Sequence, residues 1–167
     1  MKRTLTTPEQ VTPTWLTGVL RENGLLRRGA VVDVQNRLTK ALPRAVVSRL
    51  AVTYSTETAA PSRLFLKISK PDPPTATGKE VEFYRTVAKG MDCPPLIRCY
   101  DAAYSAESGG SHLLLDDLSE THFQTESPLP PPHLYRESAV ECVAEVHAFW
   151  WEHPQLGKEV GALFDEE

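Results

Sequence analysis

The chain has 167 residues, 41% hydrophobic and 24% charged, which is about one domain's worth of sequence and too apolar for a disordered tail. Its 18 lysines and arginines stand against 22 aspartates and glutamates, a formal net charge of −4. That balance lacks the basic stripe that displaces counterions from phosphates, so no nucleic-acid partner is expected.

No apolar run approaches the roughly 20 residues of a bilayer span, and the opening MKRTLTTPEQ lacks the apolar stretch of a signal peptide. A cytoplasmic protein with no membrane partner is expected. Cys93, Cys99 and Cys142 are odd in number and lack close metal-ligand spacing, so they read as reduced, mostly buried small residues.

In chain order, Thr12 and Pro13 mark a helix start, Trp15, Leu16, Val19 and Leu20 fall on one face, and Gly24 stops the helix. Ala30 to Leu38, Ala45 to Ser55 and Arg63 to Ser69 then read as three strands. Their short connections, around Lys40 to Pro43 and Glu57 to Pro61, predict an antiparallel meander.

After the proline-rich loop Lys70 to Pro74, the segment Thr77 to Ala88 places Glu80, Phe83, Tyr84 and Val87 at helical spacing, giving a helix with a carboxylate on its apolar stripe. Leu96 to Ser105 and Ser111 to Leu115 predict a hairpin turning through Glu107 to Gly110. Four prolines within Pro128 to Pro132 predict an extended linker, Leu134 to Trp151 a second long helix, and residues 164–167 a frayed end.

The expected fold class is α+β: an antiparallel sheet of about five strands, one packed helix carrying Glu80, and an N-terminal and a C-terminal helix. The expected segments are residues 1–29, helical; 30–118, the sheet unit; and 119–167, a linker and the start of a second helical lobe.

The order of three strands, helix, two strands, linker and helix resembles the N-terminal lobe of the protein-kinase-like fold. The motifs Phe65-Leu66-Lys67-Ile68, Glu80-Val81-Glu82-Phe83-Tyr84 and Leu113-Leu114-Leu115-Asp116-Asp117-Leu118-Ser119 are similar to the aminoglycoside phosphotransferase group. Its ecdysteroid-kinase-like and choline-kinase-like relatives share that likeness, which covers roughly Ala30 to Trp151.

The resemblance implies ATP and Mg2+ as cofactors and a nucleotide-binding role for five residues. Lys67 would set its ammonium against the α- and β-phosphates. Glu80, facing inward and needing a counter-charge, would hold Lys67. Asp116, through its carbonyl, and Leu118, through its amide, would meet the adenine edge at a hinge, with Leu115 as the back wall. Read singly, Lys67 is an exposed strand lysine, Glu80 an acid near a helix start, and Leu115 to Asp117 a strand ending in a polar turn. Glu82 lies about 200° round the helix from Glu80 and reads as solvated.

Asp116 and Asp117 suggest no metal pair, because adjacent strand residues point to opposite faces. Asn36 to Arg44 contains no glycine, so close backbone approach to phosphates is not signalled, and Thr39, Lys40 and Arg44 read as a solvated turn. His147 reads as a hydrogen-bonded core histidine, and no catalytic triad or metal spacing appears.

The family's catalytic aspartate, its downstream asparagine and its metal-binding aspartate have no counterpart after Trp151. No catalytic residue is therefore expected here, and the chain alone is expected to be inactive in phosphotransfer. Its expected role is the nucleotide-cradling part of a small-molecule O-phosphotransferase completed by a second lobe. A non-catalytic kinase-like module acting in self-association or partner binding is the alternative. In an unrelated ligand-binding domain Lys67 and Glu80 would lie far apart.

Overall fold

The computed structural model describes residues 3–71, 75–122 and 132–161. The proline linker at 128–131, the prolines at 73 and 74 and the end at 164–167 lie outside the described residues. The chain divides into two compact units, residues 1–81 with 97–117, and residues 82–96 with 118–167.

The first unit holds α1 (Pro13–Glu22), β1 (Val31–Ala41), β2 (Ala45–Tyr54), β3 (Arg63–Ser69), most of α2 (Thr75–Glu82), β4 (Cys99–Tyr104) and β5 (Ser111–Asp116). The five strands form one antiparallel sheet in the order β1-β2-β3-β5-β4. With the three helices, including α3 (His133–Trp150) in the second unit, the α+β class and the five-strand count are as expected. No helix among the described residues is long and apolar enough to cross a membrane.

Strand alternation decides the layers. Leu64, Leu66 and Ile68 of β3 point to one side and are buried, together with Leu50 and Val52 of β2 and Leu114 of β5. Leu16, Val19 and Leu20 of α1 close that side, and Leu5, Val11 and Leu26 complete the core. Thr12 caps α1 by accepting from the Trp15 N–H at 3.2 Å, and Pro13 occupies the first turn. The Thr17 hydroxyl accepts from the Val31 N–H at 2.9 Å, fixing the start of β1 against the helix. Gly29 has φ +70°, and a Cβ there would stand 2.3 Å from the Thr56 hydroxyl, so the entry to β1 requires glycine.

His112 of β5 is wholly buried on this closed side. Its Nδ1 accepts from the Leu5 backbone N–H at 3.0 Å, which leaves Nε2 to donate to Asp101 at 2.8 Å. This histidine is the buried, hydrogen-bonded one among the described residues. His147, expected in that role, is exposed, because α3 covers half-buried Cys142 and Val146 and buried Trp150 at i, i+4, i+8 and His147 lies about 100° beyond that stripe.

Three further expectations are corrected. The β1–β2 connection is only Leu42 to Arg44, closed by Leu42 N–H donating to the Ala45 carbonyl at 2.8 Å, because Leu38 to Ala41 pair with Arg49 to Val46 and extend the strand. The Glu80 helix is not uniform: α2 ends at Glu82 and Phe83–Ala88 is π-helical. The wider turn departs from the 3.6-residue period, and the Thr86 hydroxyl donates to the Glu82 carbonyl at 2.8 Å within that turn. The cysteines form no disulfide among the described residues, but Cys93 is exposed and Cys99 and Cys142 are half-buried.

The second unit packs around Met91, Trp150 and Val160, with Val87 and Val146 against them. A Cβ on Gly90 would come within 2.7 Å of the Trp150 ring, so glycine is what lets that indole lie down on the chain.

Candidate functional site

The other face of the sheet is the chemically open one. Phe65 and Lys67 alternate with the buried β3 leucines and so point away from the core, and their cross-strand partners Val47, Arg49, Leu113 and Leu115 point the same way. Leu113 and Leu115 are buried, Val47, Phe65 and Lys67 half-buried, and Arg49 exposed.

On α2, Val81 is buried, Glu82 is exposed, and Glu80 reaches Lys67. The Lys67 ammonium donates to both Glu80 carboxylate oxygens at 2.7 Å. This is the bridge that the sequence pattern anticipated across 13 residues of chain. Both side chains keep about a third of their surface, 31% and 38%, in contact with solvent. An ion pair so exposed contributes at most about 1 kcal/mol to stability. Its structural effect is to hold a cation at a fixed point on the sheet. An ammonium carries three donors, so one N–H of Lys67 remains uncommitted among the described residues.

Leu115 stands on the same face as Lys67, one row along the ladder, opposite Phe65 on β3 and Cys99 on β4. Asp116 ends β5 opposite Leu64, on the closed side. There its carboxylate accepts a short hydrogen bond from the Tyr100 hydroxyl, and its N–H donates to the Arg98 carbonyl at 3.0 Å. Burial first, and then the bond and charge of Asp116, raise the Tyr100 pKa. The Asp116 side chain is thus committed to the core side, and only its main chain is a candidate for an edge contact. Leu118 belongs to the second unit, where its carbonyl accepts from the N–H groups of Thr121 at 3.1 Å and His122 at 2.8 Å.

The structure therefore brings Lys67 and Glu80 into contact, places Leu115 on their face, and leaves Asp116 and Leu118 in separate units. No group of three acidic, histidine or cysteine side chains able to hold a metal occurs among the described residues, and the Glu80 carboxylate is taken by Lys67. Sequence reasoning missed Arg49, which shares the open face; its only signal was strand alternation from Leu50, and its place relative to Lys67 depends on register.

Comparison of the chain with family models, with curated proteins and with solved structures gives no match.

Proposed function

We propose that the open sheet face is the phosphate-binding half of a nucleotide site, and that the chain is the nucleotide-cradling part of an ATP-dependent small-molecule O-phosphotransferase resembling the aminoglycoside phosphotransferases. One observation carries the reading: a strand lysine held by a helix glutamate through two 2.7 Å bonds. The same lysine–glutamate pairing must be in place for phosphoryl transfer in protein kinases. Two further features support it. The strand that in this reading leads to the hinge, β5, lies beside the lysine strand β3. The pair is also too exposed to owe its presence to stability alone.

In this reading Lys67 turns its free N–H toward the phosphates, Glu80 keeps the ammonium from swinging into solvent, and Leu115 forms the apolar wall beside the base. ATP brings the transferable phosphoryl group and Mg2+ arrives with it. The test is a thermal-unfolding titration of the 167-residue chain with Mg-ATP, because a ligand that binds only the folded state raises its apparent stability. A dose-dependent rise that Lys67→Ala abolishes is expected. No rise at millimolar nucleotide would sink the reading for this chain.

A second reading rests on α3. Leu134 and Val140 are each 67% exposed and Trp151 is 76% exposed, an unusual cost for one helix and its end. A non-catalytic module that pairs with a second copy through this helix would cover them. Sedimentation at two protein concentrations separates the readings: a monomer at both removes the second.

A further inference from the structure

The open face carries more cations than Lys67. Cross-strand partners in an antiparallel sheet point to the same side, and Val47 of β2 is the partner of both Lys40 on β1 and Lys67 on β3. Two residues along β2, Arg49 pairs with Leu38 on one side and Phe65 on the other, so it stands on the same face, diagonal to both lysines. Diagonal neighbours lie about 7–8 Å apart, within reach of long side chains. The two lysines are separated by two strand spacings, about 10 Å.

These three stems make a triangle of positive charge around Val47. Lys40 and Arg49 are exposed and make no ion pair or hydrogen bond among the described residues. Glu80 is already taken by Lys67. The other polar candidates near the β1–β2 connection are committed elsewhere. Thr39 lies opposite Ser48 on the closed side, where its hydroxyl meets Ser48 at 3.1 Å and Asn36 at 2.6 Å, and Arg44 has a partner of its own. The connection Leu42 to Arg44 contains no glycine to bring backbone N–H groups against a phosphate.

We infer that Lys40, Arg49 and Lys67 together bind the phosphate chain of a nucleoside triphosphate through side chains, in place of a backbone cradle. The inference rests on the phosphate-binding reading of the Lys67 site. Arg49 is the corner diagonal to both lysines, and its planar fork matches two phosphate oxygens at once, which neither lysine can do. Binding of this kind follows the number of phosphates on the ligand and weakens with salt.

The test is calorimetric titration of the full chain with ATP, AMP and inorganic tripolyphosphate, at low and raised salt, with Arg49→Ala, Arg49→Lys, Lys40→Ala and Lys67→Ala. All three positions are exposed or half-exposed, and thermal melts establish that each variant folds. ATP should bind at least about tenfold more tightly than AMP. Arg49→Ala should weaken ATP and tripolyphosphate about tenfold and leave AMP unchanged, Arg49→Lys should recover part of that, and Lys40→Ala should cost less. If Lys67→Ala weakens ATP while Arg49→Ala and Lys40→Ala bind it as the parent does, the triangle is overturned and the Lys67 reading stands. If tripolyphosphate binds as well as ATP with the same Arg49 dependence, the triangle stands and base recognition falls. If the parent chain binds neither ATP nor tripolyphosphate, both are overturned.

Discussion

His112–Asp101 and Lys67–Glu80 sit on opposite faces of the same sheet, bridged at 2.8 and 2.7 Å, and the similar distances conceal opposite physics. The first pair is 0% and 3% exposed, with the imidazole bonded at both nitrogens. Burial makes every lost hydrogen bond there costly, so the pair is fixed in place by its surroundings. The second pair is open to water, gains little from its own attraction, and leaves a donor to spare. A polar pair that is fixed in place and one that is available for exchange can thus be told apart by what surrounds them, not by their length.

The contrast can be broken most forcefully on β3, where neighbours face opposite ways. Leu66→Ala empties a site on the closed face and should cost about 2–5 kcal/mol in urea unfolding, whereas Phe65→Ala on the open face should cost clearly less. Equal losses would mean that the open face is as well packed as the core. His112→Leu keeps the volume but strips Asp101 and the Leu5 N–H of their partner, and about 3 kcal/mol should be lost. A loss near zero would mean that the pair is solvated.

A smaller effect is expected at high pH. Burial pushes the Tyr54 hydroxyl up to about 12, and burial with the Asp116 contact raises Tyr100 too. An unfolded tyrosine ionises near about 10. Above that pH the unfolded chain holds fewer protons than the folded one, so stability is complete below about pH 10 and falls as the pH climbs through the folded values. Tyr100→Phe should flatten that decline in melts taken between pH 9 and pH 12, and an unchanged slope would refute the assignment. The smallest change is expected from Lys67→Ala, less than about 1 kcal/mol in stability, while the thermal shift given by Mg-ATP disappears. A large stability loss would move this pair into the structural class of the first.

How much of this was legible in the chain depends on the range of the forces involved. β3 was readable to the residue because Leu64, Leu66 and Ile68 alternate with Phe65 and Lys67 inside seven positions. Glu80 was readable as the partner of Lys67, since an inward carboxylate needs a counter-charge. The π turn after it was not, because a helical period cannot announce its own interruption. His112 looked like one polar residue at the edge of an apolar run, and its two partners stand 107 and 11 residues away. The Lys40, Arg49, Lys67 triangle is likewise a product of register, which pairing sets and composition does not record.

The bond between Leu5 and His112 also sets an order of events during synthesis. Leu5 has an apolar side chain that ends in the core, yet the strand carrying its anchor follows more than a hundred residues later. At a ribosomal rate of about 5–20 residues per second, that interval lasts on the order of 5–20 seconds. The core of the first unit therefore cannot be completed until β5 has left the ribosome, because the Leu5 N–H has no histidine to meet before then.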